Sequence, residues 1–405
     1  MDISPKRENK GAATPLPLIF LFGAVILVGG YFIGAATPSV LPVQASAESE
    51  QIDTLFRVTL TLSGVLFLLV QGLLVYSVLR FRVRMDDTGD GPNIHGNATL
   101  EIIWTTIPAV VVFFLSIYGW QVWNTMRVEK PNEMTVHVEA SRFNWTFTYT
   151  DPENRLADAP QQTFTAGTLH TYVNQPMLVK IDAADVNHAF WIPTMRIKQD
   201  ALVGRETEVR FTPIRSGRYA LRCAELCGDG HGRMVTYVVV YDDYEQYKSQ
   251  FLDIQVNNIL NPPTDPVLVG ESLLTSATYA CAGCHALESM GWTGITGPNL
   301  NGIGSRAGES RATAASVSSG AAYLAQSIRH PNAYQVPGYA LAMPQFGPFP
   351  DQPATVEGAS YVYMPDDHLL GIVSYLCTQT ESGSAEDSTC GDAETIAAAV
   401  EEQSQ

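Results

Sequence analysis

"CAELCGDGHGRM", residues 223 to 234, places two Cys, a Glu, a His and a Met within twelve positions. Thiolate, imidazole and thioether together favour copper over hard cations. A mononuclear electron-transfer copper takes one Cys, two His and a distant Met, so this loop holds one thiolate too many. A second thiolate lets two sulfurs bridge two metal ions, each of which then needs its own terminal His and a weak axial donor. Cys223, Cys227, His231 and Met234 come from the loop, and "DVNHAFWIP" offers His188 between two strand-like runs. The backbone carbonyl of Glu225 is the candidate weak donor opposite Met234. Taken singly, each has a plainer reading: His188 as a core or surface histidine, Met234 as packing, Cys223 and Cys227 as a disulfide or half a zinc site. Five donors at this spacing favour the metal pair.

The sequence around the loop reads as β structure. "MTVHVEASRFNWTFTY", "TLHTYVNQPMLVKIDAAD", "ETEVRFTPIRSGRYALRC" and "MVTYVVVYD" are β-branched and aromatic runs with partial alternation, broken by Gly, Pro and Asn. Short strands so spaced predict a sandwich or barrel over residues 131–245. Residues 246–265, ending in "NILNPPTDPVL", read as a linker stiffened by proline. Residues 266–380 turn helical, with apolar spacing of three and four. The stretch 381–405 has many acids and no Lys or Arg, and disorder is expected there. There is no internal repeat.

Within the helical region, "CAGCH" (Cys281 to His285) matches C-x-x-C-H, in which two thiols bond a haem edge covalently and the adjacent His ligates iron. A redox dithiol or half a zinc site is the plain alternative, but no second C-x-x-C completes a zinc set. Met paired with His raises a haem potential, and both Met343 and Met364 precede Pro. Met343 is preferred, because "IRHPNAYQVPGYALAMPQFG" leaves it in a loop, whereas Met364 begins the next helical pattern. Cys377 and Cys390 remain, either as a disulfide or as a buried thiol and a tail thiol.

Three apolar runs open the chain of 405 residues. The first, residues 15 to 36, follows Lys6, Arg7 and Lys10 and precedes Ala45-Ser46-Ala47, so residues 1–47 read equally as a signal peptide or as an extra anchor helix. The other two, within 50–130, make a transmembrane helical hairpin. Arg80, Arg82 and Arg84 hold the connecting loop on the cytoplasmic side, which puts everything after Trp123 outside. A formal net charge of −17 argues against nucleic acid as a partner and suits attraction of basic proteins.

Residues 50 to 245 closely resemble subunit II of the haem–copper respiratory oxidases, through "LEIIWTTIPAVV", "SRFNWTFTY", "DVNHAFWIPTMRIKQDALVGR" and "CAELCGDGHGRM". Residues 266 to 380 resemble a class I cytochrome c. The resemblance implies a multi-domain membrane protein of a bacterial plasma membrane: a transmembrane hairpin, an all-β cupredoxin sandwich holding a dinuclear CuA centre, and an all-α cytochrome c domain, the soluble domains lying on the periplasmic side. It assigns His188, Cys223, Cys227, His231, Met234 and the Glu225 carbonyl to copper, and the Glu225 carboxylate to a magnesium ion shared with subunit I. Cys281, Cys284 and His285 would hold one haem c, with Met343 distal. Glu101 falls at the mouth of a proton path, its plain alternative being an interfacial carboxylate. The partners implied are subunit I, subunit III and an external electron-donor protein.

One departure is informative. Where the family usually has a Trp that takes electrons from a soluble donor, this chain has Phe143, with Trp145 close by. That fits a chain carrying its own haem, because a tethered donor acts at an effective concentration near ~1 mM. The function implied is electron transfer from an external donor through haem c and CuA to subunit I, where oxygen is reduced and protons are moved. A CuA-containing nitric-oxide reductase would share the local chemistry. A membrane-anchored copper chaperone also carries C-x-x-x-C, but with Pro after the second Cys, where Gly228 stands here.

Overall fold

A computed structural model describes residues 16–82, 96–228, 230–276, 278–279, 281–339, 343–350, 355–356 and 359–404. Lys6, Arg7 and Lys10, which precede the first apolar run, and Arg84, used to orient the chain, lie outside them. The chain divides into two compact units, Met1–Val128 and Glu129–Gln405.

The first unit is helical: α1 (Leu16–Ala35), α2 (Ala47–Phe81) and α3 (Ala98–Arg127). By length and composition each is able to cross a membrane, with mean hydropathy of 2.4, 2.2 and 2.1 over its most apolar stretch. Their large apolar side chains point outward, as a lipid-facing surface requires. α1 rests on α2 through small residues. A Cβ on Gly34 would stand 1.8 Å from Thr61 Oγ1, and one on Gly30 2.3 Å from Val65 Cγ2, so only glycine permits this approach. The Ala45-Ser46-Ala47 stretch is buried in part and begins α2: Ser46 is its N-cap and shares a capping box with Ser49.

The second unit starts with two five-stranded sheets. Its strands are β1 (Met134–Ser141), β2 (Asn144–Thr150), β3 (Thr163–Ala166), β4 (Leu169–Tyr172), β5 (Met177–Ala183), β6 (His188–Ile192), β7 (Ile197–Ala201), β8 (Thr207–Phe211), β9 (Gly217–Cys223) and β10 (Val235–Tyr241). The sheet orders are β3-β2-β1-β5-β8 and β4-β10-β9-β6-β7, with β1–β5 and β10–β4 parallel and the other pairs antiparallel. Burial alternates along β1, β5 and β10, so each sheet turns one apolar face inward. Val138, Phe147, Ile181, Phe190, Leu221 and Val238 fill the core.

The expected linker is mostly not one. Tyr244–Tyr247, Lys248–Leu252 and Asp253–Leu260 are continuous helical turns. Phe251 lies flat on His170, ring centroids 3.9 Å apart, and meets Tyr149 edge-on. Tyr247, Phe251, Leu252 and Val256 are all buried, and burying that aromatic stripe outweighs the pull of the prolines, which extend only the short connection before Pro266.

Beyond it, α4 (Pro266–Thr275) packs on α6 (Asp366–Thr378) at a glycine crossing, where a Cβ on Gly270 would meet the Gly371 carbonyl at 2.1 Å. α5 (Gly320–Arg329) completes an apolar core with Ile303, Leu324, Phe346, Leu369 and Val373. The region is not wholly helical, since Gln345–Gly347, Thr355–Val356 and Ala359–Tyr363 form a small sheet. The tail also departs from expectation. Cys377 and Cys390 form a disulfide, and α7 (Ala393–Glu402) docks Ile396, Ala399 and Val400 into the core. An acidic segment that has little to bury alone is held down by that covalent tie.

Candidate metal centre and a second thiol site

The metal loop joins two neighbouring strands of one sheet. β9 ends on Cys223 and β10 begins after Met234, so both ends of the loop are fixed by the β9–β10 ladder. The Cys223 N–H donates to the Met234 carbonyl at 3.0 Å, and the Ala224 N–H to the Ala189 carbonyl at 3.0 Å. The second bond fastens the loop to β6, whose first residue is His188.

The donor atoms form a chain. His188 Nδ1 lies 3.8 Å from Cys223 Sγ, the two sulfurs of Cys223 and Cys227 are 3.8 Å apart, and His231 Nδ1 is 3.6 Å from Cys227 Sγ. At the flanks, the Glu225 carbonyl is 3.2 Å from Cys223 Sγ and Met234 Sδ is 4.0 Å from Cys227 Sγ. The His188, Cys223 and Cys227 ligand atoms all fall within 4.8 Å of one another, as a shared metal requires. The two sulfurs are too far apart for a disulfide. All six candidate donors are therefore together, and His188, Cys223, Cys227 and Met234 are buried. The Glu225 side chain, by contrast, is exposed.

Charge is arranged around that chain. Burial opposes ionisation of Cys223, but hydrogen bonds from His188 and the backbone outweigh it and pull the thiol below its ordinary range. Burial and the neighbouring Cys223 charge push Cys227 the opposite way. A bound cation would relieve both effects. His188 Nε2 donates to Asp185 Oδ1 at 2.9 Å, which leaves Nδ1 facing the sulfurs. Burial opposes a proton on His188, yet Cys223 and Asp185 together raise its affinity for one. Asp185 is itself gripped by Arg142, whose backbone N–H and Nε donate at 2.8 and 3.0 Å. Trp145 is buried edge-on to His188, centroids 6.2 Å apart, while Phe143 is half-buried beside the loop.

The second site is a largely apolar cleft in the carboxyl-terminal region. Cys281, Cys284, His285 and Met343 all line it, among walls that include Leu324 and Ile372. His285 Nδ1 donates to the Pro298 carbonyl at 2.7 Å, so Nε2 is the nitrogen left for a ligand. Gly297 lets the ring sit close, since a Cβ there would stand 2.7 Å from His285 Cε1. Burial raises the Cys281 thiol to about 12, raises Cys284, and lowers His285. Met364, the rejected alternative, is buried in the core with its carbonyl accepting from Arg329 at 2.6 Å.

Glu101 belongs to the first unit, where its carboxylate accepts from the Asn97 N–H at 3.2 Å beside the start of α3. Sequence reading passed over Asp185 and Arg142. The available signal was a carboxylate three residues before a candidate ligand histidine.

Comparison with known proteins converges on one family. The model for the cytochrome c oxidase subunit II transmembrane domain matches residues 35–122, and that for its periplasmic domain matches 134–241. Cytochrome c oxidase subunit 2 of Synechocystis is 33% identical over 279 residues, 57% of this chain and 81% of its own length. That of Thermostichus vulcanus is 31% identical over 273 residues, 56% of this chain and 83% of its own. Among solved structures, the periplasmic domain of subunit II of cytochrome oxidase from Bradyrhizobium japonicum aligns at 23% identity and a TM-score of 0.28, covering 33% of this chain and 99% of that one. With its apolar helices, its periplasmic β domain and a candidate metal centre on the loop between β9 and β10, the chain belongs to the cytochrome c oxidase subunit II family, the electron-transfer subunit of haem–copper terminal oxidases.

Proposed function

We propose that this subunit relays electrons from an external donor, through one covalently attached haem c and a dinuclear CuA centre, to subunit I of an oxygen-reducing, proton-moving oxidase. The observation that carries the reading is the coexistence in one unit of two unlike thiol sites: the alternating nitrogen–sulfur–sulfur–nitrogen chain, and the apolar cleft lined by Cys281, Cys284, His285 and Met343. Bound copper and haem supply one-electron chemistry that no side chain in these positions offers. The protein's part is to hold the donors still.

Copper would be held by His188, His231, Cys223 and Cys227, with Met234 and the Glu225 carbonyl as weaker donors. Haem would be held by Cys281 and Cys284 through thioethers and by His285 and Met343 as iron ligands. Phe143 and Trp145 are where electrons enter the copper site. The exposed Glu225 carboxylate is free to meet a magnesium ion shared with subunit I, and Glu101 marks the mouth of a proton path. Subunit III and an external electron-donor protein complete the partners.

The two halves of the reading are tested separately in the purified complex. In Cys227→Ser, copper bound by this subunit is lost while haem stain on the denatured chain stays at the wild-type level. In Cys284→Ser, the covalent haem is lost and the copper signal stays. Zinc in place of copper, or a denatured wild-type chain without haem stain, defeats the reading.

A further inference from the structure

The face of the β domain next to the metal loop is occupied by the chain's own carboxyl-terminal domain. Gly283, the second intervening residue of C-x-x-C-H, is pressed on Phe143: a Cβ there would stand 2.7 Å from the Phe143 carbonyl oxygen and 3.2 Å from its carbon. On its other side, the Phe143 ring lies against the metal loop, where a Cβ on Gly230 would stand 2.3 Å from Cδ2. The Phe143 residue is thus wedged between the two thiol-bearing loops, and each meets it with a glycine.

Two further contacts flank the wedge. Arg218 of β9 lies over the Tyr237 ring at 3.6 Å, and a Cβ on Gly291 would come 3.1 Å from its guanidinium. Arg233, between His231 and Met234, lies within electrostatic reach of Cys284. Between these contacts the seam leaves a cleft bordered by Trp145 and Tyr279.

We propose that the carboxyl-terminal domain is fixed on the β domain by this seam, so that Phe143 answers to the chain's own C-x-x-C-H loop and its surface is closed to a soluble donor. The domain is then a docked partner and not a freely swinging tether. Two glycines are the reason: a flush backbone contact cannot form where a side chain stands. Arg142 extends the arrangement inward, since the residue before the wedge holds Asp185, which holds His188. An external donor must therefore be met by the outer surface of the carboxyl-terminal domain.

The proposal deepens the electron-transfer reading and rests on it, but its test does not read metal or haem. A specific protease site is introduced between Asn261 and Asp265 in the full complex, which is then cleaved and passed through gel filtration at submicromolar concentration. The wild-type seam is expected to keep the carboxyl-terminal fragment with the complex. Gly283→Val, which drives a side chain onto the Phe143 carbonyl, is expected to release at least about tenfold more of it. Arg218→Ala, which only deletes an exposed side chain and leaves the C-x-x-C-H loop untouched, is expected to raise release several-fold, and so covers the case in which the valine upsets its own loop. Immediate release from the wild-type seam, or full retention in both variants, overturns the proposal. Loss of copper or haem from the wild-type chain would instead defeat the electron-transfer reading and leave the seam standing.

Discussion

The metal loop and the C-x-x-C-H loop draw on the same residue types, a pair of cysteines with histidine and methionine, and the fold treats them in opposite ways. In the metal loop a network of donors reaches the sulfurs: Cys223 is drawn toward the thiolate, His188 toward its proton, and Asp185 keeps its charge because His188 and Arg142 outweigh its burial. In the cleft burial dominates, over the opposing Arg233 charge at Cys284 and the Pro298 carbonyl at His285, and it leaves both thiols and the imidazole neutral. Ionised sulfur suits a bridge between cations, and a neutral thiol and imidazole suit an apolar pocket that grips a flat group. Residue type names the donors, and the surroundings choose their chemistry.

That contrast can be broken first at Arg329, which serves the cleft side alone. It is 1% exposed, donates to the Phe346 and Met364 carbonyls at 2.9 and 2.6 Å, and pairs with Asp366. Removing it in Arg329→Met strands two buried carbonyls, at about 3 kcal/mol. Urea unfolding of the unit beginning at Glu129 should show the loss in the carboxyl-terminal domain, with the β domain unchanged.

Acid should act on the other side. His170 lies flat on Phe251, and burial, helped by the Arg218 charge, holds its pKa at about 3 against an ordinary 6.5. The unfolded chain takes a proton below about 6.5 and the native ring only near 3, so stability is fully present above that window and falls as pH drops through it. The ring keeps some solvent contact, which discounts the effect to about 2–3 kcal/mol. Urea midpoints between pH 7 and 4 should fall for the β domain, with a flatter slope in His170→Gln.

The finest test is Asp185→Asn. It keeps every proposed ligand but weakens the grip on His188, so copper affinity should fall roughly 10- to 100-fold, as outer-sphere substitutions do. Chelator competition reads this directly, and haem stain should not change. Unaltered affinity would mean that the cysteines alone set the site.

Much of this was legible in the sequence because the decisive residues are local. Cys223, Cys227, His231 and Met234 share one loop, and Cys281, Cys284 and His285 adjoin. The missing ligand His188 was reachable because strand runs on either side brought it into the same sheet. What escaped was either weighed wrongly or truly long-range. The prolines after Leu260 drew the whole of 246–265 into a linker, although Tyr244, Tyr247 and Phe251 already recur at a spacing of three and four. In the tail, Ile396, Ala399 and Val400 carried the same signal, outvoted by acids, and only pairing of Cys377 with Cys390 gave it something to fold against. The seam at Phe143 could not be read at all, because a glycine among glycines does not announce which carbonyl it will meet.

The disulfide in the tail has a bearing on how the molecule is assembled. Three cysteine pairs reach the same oxidising compartment, yet the fold needs one of them joined and the other two left as thiols. The sulfurs of Cys223 and Cys227 are close enough for a modest backbone movement to let an oxidant join them too. On the proposed function, biogenesis must tell the pairs apart, sealing the tail while a reductant or early cofactor loading protects the others, and a cell short of that discrimination would accumulate folded chains that can never be filled.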